Sequence, residues 1–169
     1  MNTGIIDLIR VQAISGKLSK LLDEDLIEKL ISNESLVSNP NKTLDHEDSK
    51  DRRISKNKIN WIIEELTEVL NSSINNESKL SYESHWLHVH ERNMSTNTHS
   101  HLPSKWSAAC YLRVPENSGK ICFISEQLQQ VTSITPELGS YLIFPSCVKH
   151  FVTAHENDTP RVCLSINWS

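Results

Sequence analysis

The sequence lacks the features of several large classes of protein. No eighteen consecutive residues are apolar, and the start MNTGIIDLIRVQAISGKL has no basic segment before a long apolar one, so we expect neither a membrane span nor a secretion signal. The formal charge of -4 gives no basic excess, so nucleic acid is not an expected partner. We therefore predict a cytoplasmic protein, and its 169 residues fit one domain.

Closely spaced cysteine pairs are also missing. The four cysteines each stand alone in apolar, strand-like segments, and none belongs to a C-x-x-C pair; they are Cys110, Cys122, Cys147 and Cys163. This pattern argues against a disulfide framework or a zinc ribbon. We expect reduced, buried thiols.

The chain divides near residue 80 into a helix-rich part and a strand-rich part. Before that point we predict a strand over 8–14, helices over 19–33 and 55–73 with Ser55 as a possible N-cap, and an exposed loop over 36–53. We therefore interpret residues 1–80 as an N-terminal helical layer of the same domain. Residues 81–169 would form its β core.

The second part has short runs rich in β-branched and aromatic residues, separated by turn signals such as PENSGK and HENDTP. We predict strands near 82–91, 107–114, 119–125, 130–134, 139–145, 149–154 and 161–168. Many short strands at regular spacing, with helices able to cover one sheet, indicate a mostly β fold with N-terminal helices, an antiparallel sandwich or jelly roll.

The segment THSHLPSKW contains the most specific candidate for chemistry. On a strand, residues two apart point to the same face, so His99 and His101 can project into one cavity and chelate a metal ion. The pair alone is weak evidence, because surface and core histidines are common. A third ligand is suggested by His150, which follows the apolar run YLIF and a bend at Pro145.

The last strand, RVCLSINWS, has one polar and one apolar face. Alternation places Arg161, Cys163, Ser165 and Asn167 on the polar face. An inward-facing arginine needs an anionic partner, and Arg161 with Ser165 would suit a carboxylate.

With these blocks in this order, the chain over about residues 82 to 168 resembles the Fe(II)- and 2-oxoglutarate-dependent oxygenases, on their prolyl-hydroxylase-like branch. The resemblance implies a double-stranded β-helix fold. It also implies a dioxygenase that acts as a hydroxylase, with His99, His101 and His150 as iron ligands. Arg161 would bind the far carboxylate of the cosubstrate, 2-oxoglutarate, with Ser165 assisting.

Two positions depart from the usual pattern of that family. His101 stands where most members have a carboxylate, so the iron would keep more positive charge. Alternation aims Cys110 inward where relatives often use a tyrosine to contact 2-oxoglutarate, with Tyr111 facing the other way. We expect Cys110 and Asn167 to contribute to the cosubstrate pocket, which His88 or His90 could complete.

Two other functions stay open from the sequence. One is a cupin-type three-histidine metalloenzyme that uses no keto acid, although the glutamate that usually follows a cupin HxH is absent. The other is a non-catalytic metal- or ligand-binding jelly-roll module, such as a viral or structural one. The primary substrate is not indicated by any loop sequence, and could be a protein side chain or a small molecule.

Overall fold

The computed structural model describes residues 11–32, 50–52, 54–74 and 79–169. Its helices are α1 (Glu24–Ser32) and α2 (Asn60–Ser73), the latter preceded by a 3-10 turn at Lys56–Lys58. The strands are β1 (Ile14–Lys17), β2 (Lys50–Arg52), β3 (Tyr82–His90), β4 (Thr96–His99), β5 (Trp106–Arg113), β6 (Ile121–Ser125), β7 (Gln130–Ile134), β8 (Ser140–Pro145), β9 (His150–Val152) and β10 (Arg161–Trp168).

Two antiparallel sheets build the β core. The major sheet has the order β1-β8-β5-β10-β3-β2, and the minor sheet has the order β4-β9-β6-β7. Their inner faces meet over a small apolar cluster that includes Tyr111, Ile121, Leu142 and Phe144. This is the predicted jelly roll, with the longest strands in the major sheet.

The helices pack on the outer face of the major sheet. Apolar residues of α1 and α2, among them Ile27, Leu30, Ile62 and Leu66, share one buried cluster with residues of β3, β5 and β10 such as Leu164. Both helices have an apolar stripe at helical spacing, and burying it holds them against the sheet. Trp168 Nε1 also donates a hydrogen bond to Thr67 Oγ1 (2.8 Å), which joins β10 to α2.

Several predicted elements differ from the structure in the first part of the chain. The predicted strand over 8–14 is displaced: β1 covers Ile14–Lys17, residues 11–13 are not in a strand, and residues 8–10 lie outside the described residues. β1 pairs with β8 and β2 pairs with β3, so part of the predicted loop over 36–53 is an edge strand. Ser55 precedes the 3-10 turn and makes no side-chain capping bond.

The seven strands predicted from residue 82 onward all occur, with ends that differ by at most two residues. The short strand β4 was not predicted, because its sequence TNTH is polar. Among the described residues no helix is long and apolar enough to cross a membrane. The division into a layer over 1–80 and a core over 81–169 stays a prediction, although β1 and β2 extend the major sheet from the first part.

Candidate active site

Three histidines meet at the open edge between the two sheets. His99 ends β4 and lies directly opposite His150, the first residue of β9, in the antiparallel pairing. His101 lies beyond β4, and its backbone N–H donates to the carbonyl of Ser146 (2.9 Å) in the turn after β8. One nitrogen from each ring lies within 4.8 Å of the others, so the three side chains form a candidate metal site.

Strand alternation is therefore not what joins His99 and His101. The prediction placed both on one strand, whereas the structure ends the strand at His99 and brings His101 back by a loop that is bonded to Ser146. Cross-strand pairing supplies the third member, since directly opposed residues in an antiparallel ladder have neighbouring side chains. The three rings lie together as predicted, but cross-strand pairing and a loop bring them together, and strand alternation does not.

Backbone carbonyls orient two of the rings. His99 Nδ1 lies 2.8 Å from the carbonyl oxygen of Asn97, and His150 Nδ1 lies 3.0 Å from that of Val148. A carbonyl can only accept, so each Nδ1 carries the proton and donates it, and each Nε2 keeps a lone pair for a metal. The structure thus selects the tautomer that a metal ligand requires.

The spacing of the ring nitrogens suits one ion. His101 Nε2 and His150 Nε2 are 3.3 Å apart. Two nitrogens that each bind one ion at about 2.1 Å lie about 3 Å apart when their bonds are perpendicular. Phe144 and Phe123 pack against His150 with ring centroids 4.9 and 5.8 Å away, and they form an apolar wall behind the site.

Arg161 lines the same cavity as the three histidines. It opens β10 and is 1% exposed. Its Nη1 donates to the carbonyl of Ser118 (2.8 Å) and its Nη2 donates to His90 Nδ1 (2.9 Å), while its Nε has no hydrogen-bond partner. The side chain is therefore fixed, and Nε–H together with the second N–H of Nη1 and of Nη2 can still bind a ligand.

The electrostatics of this end of the cavity favour an anion. Burial lowers the pKa of Arg161, which reflects the cost of keeping a cation away from water. An unsatisfied buried donor costs about 1–3 kcal/mol, which a bound carboxylate would offset. Among the described residues that line the cavity there is no aspartate or glutamate to fill this role. Ser165 and Cys163 lie beside Arg161 on the same face of β10 and also line the cavity.

The prediction that Cys110 faces the cavity is wrong. Cys110 is fully buried in the cluster between the major sheet and the helices, and Tyr111 instead lines the cavity. The segment WSAACYLR contains apolar and small residues on both faces, so its alternation cannot give the direction of either side chain. The pKa of both groups is raised, and burial is the main cause.

Other predicted residues have less central positions. Asn167 is buried on the predicted face but does not line the cavity, and its Oδ1 accepts a hydrogen bond from Ser107 Oγ (2.8 Å). His88 and His90 both line the cavity, as predicted. His155, beside the polar turn HENDTP, is fully buried, and its Nε2 lies 2.8 Å from the carbonyl oxygen of Thr159.

Residues 125–167 match the sequence profile of a family described as 2OG-Fe(II) oxygenases. The match runs from the end of β6 almost to the end of β10, and so includes His150, Arg161 and Ser165. Comparison with curated protein sequences gives no significant match.

Solved structures share the architecture at low sequence identity. A prolyl hydroxylase from Trichoplax adhaerens, solved with a peptide of hypoxia inducible factor, superposes with a TM-score of 0.65 at 12% identity, over 91% of this chain and 82% of that one. A viral collagen prolyl hydroxylase from Paramecium Bursaria Chlorella virus-1, solved with 2OG, gives 0.64 at 16%, over 91% and 94%. The epimerase SnoN from nogalamycin biosynthesis, solved with Fe3+ and alpha ketoglutarate, gives 0.69 at 14%, over 94% and 79%.

These likenesses establish the double-stranded β-helix fold. Over residues 125–167 the chain also matches the 2OG-Fe(II) oxygenase profile, which confirms the predicted resemblance for that part of the sequence. The predicted enzyme class and its cofactors, Fe(II) and 2-oxoglutarate, are those of this family.

Proposed function

We propose that His99, His101 and His150 hold Fe(II), that Arg161 binds the far carboxylate of 2-oxoglutarate, and that the protein hydroxylates a protein side chain or a small molecule. The observation that carries this proposal is the convergence of three histidines and a fully buried arginine on one cavity. A purely structural role for the three histidines would not explain the buried arginine beside them, and a structural role for the arginine would not explain the histidines.

The donor set fits Fe(II). Imidazole is a ligand that iron accepts, and the three neutral rings would hold the ion while leaving positions for a keto acid and for dioxygen. The carbonyls of Asn97 and Val148 hold two of the rings with Nε2 available, so little reorganisation is needed when the metal binds.

Each remaining residue has a role in positioning the cosubstrate. Arg161 offers its unpartnered Nε to the far carboxylate, and Ser165 adds a hydroxyl beside it. Tyr111 takes the position that we assigned to Cys110, and its hydroxyl is a further candidate donor in the cavity. Phe144 and Phe123 keep water away from the metal side of the cavity.

The bound cofactors supply the oxidation itself: 2-oxoglutarate and dioxygen are converted to succinate and carbon dioxide while one oxygen atom enters a C–H bond of the substrate. The protein orients the keto acid and shields the site. The cupin-type alternative needs no keto acid and leaves the buried arginine without a ligand. A non-catalytic metal-binding module would use the same tautomers of His99 and His150, and formation of succinate separates it from the oxygenase.

Substitutions on the two halves of the cavity test the proposal. Equilibrium binding under anaerobic conditions should show that Arg161→Ala weakens 2-oxoglutarate by more than about tenfold and leaves Fe(II) affinity within about twofold, because the lost partner is a charged group. His150→Ala should instead weaken Fe(II) by more than about 100-fold, since deleting a ligand costs more than deleting its support.

Arg92→Ala is the matched control. Arg92 is an exposed arginine that pairs with Asp158 on the surface (2.8 Å), so its loss should change neither affinity. Equal keto-acid affinity in Arg161→Ala and the wild type would contradict the assignment of Arg161. Equal Fe(II) affinity in His150→Ala and the wild type would contradict the metal site.

A further inference from the structure

His90 makes two polar contacts in the interior of the molecule. It is 1% exposed and lies opposite Arg161 in the pairing of β3 with β10. Its Nδ1 lies 2.9 Å from Arg161 Nη2, and its Nε2 lies 2.8 Å from Thr96 Oγ1. Both ring nitrogens are therefore used on opposite sides of the ring.

These contacts define the protonation of the ring. A guanidinium group has only donors, so His90 Nδ1 must be the acceptor of the bond from Arg161. The ring proton then sits on Nε2 and is donated to Thr96 Oγ1. A doubly protonated ring would place two donors against each other.

The bond from Arg161 to His90 also decides how the arginine is presented. Arg161 Nη1 is directed at the carbonyl of Ser118 and Nη2 at His90, so rotating the guanidinium would break both bonds. The unpartnered Nε is thereby kept at a constant direction. A ligand carboxylate meets an arginine that is already oriented.

Thr96 connects His90 to strand β4. It is the first residue of β4, the strand that ends at His99. A continuous series of contacts thus runs from Arg161 through His90 and Thr96 to the strand of a proposed metal ligand.

From these contacts we propose that His90 is a positioning residue for the cosubstrate. In its neutral form, with the proton on Nε2, it holds Arg161 in the orientation that accepts the far carboxylate of 2-oxoglutarate. It acts through Arg161 and does not touch the keto acid itself. This inference rests on the proposed function, because it takes Arg161 as the carboxylate site.

Two amide substitutions separate the two contacts. In His90→Asn the side-chain oxygen can replace Nδ1 as the acceptor for Arg161, but the contact with Thr96 is lost. In His90→Gln the amide can replace Nε2 as the donor to Thr96, but the acceptor for Arg161 is lost. Both variants remove the imidazole, so each is the control for the other.

The measurement is anaerobic binding of 2-oxoglutarate and of pyruvate to protein loaded with Mn(II) in place of iron. Pyruvate has the keto-acid group but no far carboxylate, so its affinity does not depend on Arg161. We expect His90→Gln to weaken 2-oxoglutarate by about tenfold and His90→Asn by less than about threefold, since only the former loses a bond to a charged group. Pyruvate and Mn(II) affinities should stay at wild-type values in both.

Other outcomes would overturn the proposal. Equal 2-oxoglutarate affinities in the two variants would show that the acceptor for Arg161 is not needed, and equal weakening of both keto acids would show a general structural role. If His90→Gln does not fold, His90→Leu, which also removes the acceptor for Arg161, provides the second test, with weakening confined to 2-oxoglutarate expected and unchanged affinity contradicting the proposal. Wild-type protein that binds the metal and pyruvate but not 2-oxoglutarate would instead refute the assignment of Arg161.

Discussion

Strand β10 has two faces of opposite character. Leu164 and its neighbours at every second position pack against the helices, whereas Arg161, Cys163 and Ser165 face the cavity between the sheets. All eight residues are buried, so exposure does not distinguish the faces. The difference lies in what each face requires: the apolar face needs only close packing, and the polar face needs partners for each donor and charge.

One face of β10 contributes mainly to folding stability, and the other contributes mainly to ligand binding. The helix-facing side supplies folding free energy through burial of apolar surface, which any well-shaped apolar residue can provide. The cavity-facing side costs free energy unless a ligand completes it, as the unpartnered Nε of Arg161 illustrates. Changes to the two faces should therefore have separable effects on stability and on binding.

Substitution on the apolar face should lower stability most. Leu164→Ala should lower the free energy of unfolding by about 2–5 kcal/mol, because the side chain is fully buried and its removal leaves a cavity. Ser165→Ala, one residue further along, should change stability by much less and weaken 2-oxoglutarate binding. Chemical denaturation and keto-acid binding measure both variants, and equal losses of stability in the two would remove the distinction between the faces.

A smaller effect is expected at the metal ligand that departs from the family pattern. His101→Ala should weaken Fe(II) by about 10- to 100-fold, whereas His101→Asp should keep or raise the affinity, because a carboxylate is also a ligand and adds negative charge. Anaerobic Fe(II) titration measures both variants. Wild-type affinity in both would mean that His101 does not bind the metal.

A smaller, pH-dependent effect on stability is expected from two thiols on opposite sides of the major sheet. Burial raises the pKa of Cys163 on the cavity side to about 12 and raises that of Cys110 on the helix side. Since the folded state keeps the Cys163 proton longer than the unfolded state, its contribution to stability is complete below about pH 8.5 and is lost as the pH rises toward 12, at up to about 1.4 kcal/mol per pH unit. The raised pKa of Cys110 acts in the same direction.

Denaturation of the wild type and of Cys163→Ala between pH 8 and pH 10 tests the contribution of Cys163. The wild type should lose stability over the interval, and Cys163→Ala should lose it with a shallower slope because one of the shifted groups is gone. Identical slopes in the two proteins would contradict the shifted pKa of Cys163.

The sequence predicts the β core well where alternation is strong. In RVCLSINW the charged, thiol and hydroxyl groups fall on one face and the large apolar groups on the other, so both the strand and its orientation are predictable. In WSAACYLR the same rule fails, because small and apolar residues occupy both faces. Tyr111 lines the cavity and Cys110 faces the helices, which is the reverse of the prediction.

The residues of the site can be predicted from the sequence, but the hydrogen bonds among them cannot. The order of His99, His101, His150 and Arg161 along the chain indicates the constellation, and the family profile matches the segment that contains His150 and Arg161. The bonds of Arg161 with His90 and with the Ser118 carbonyl depend on strand pairing and on one turn, which a local pattern does not contain. His155 is buried although it opens the polar turn HENDTP, so its burial has no signal in the sequence.

The most direct test of the account is an anaerobic titration of the wild-type protein with Fe(II) and then with 2-oxoglutarate, followed by admission of oxygen. We predict a visible charge-transfer band when the keto acid chelates the bound iron, and formation of succinate once oxygen is present. Tight binding of iron with neither the band nor succinate would contradict the proposed oxygenase.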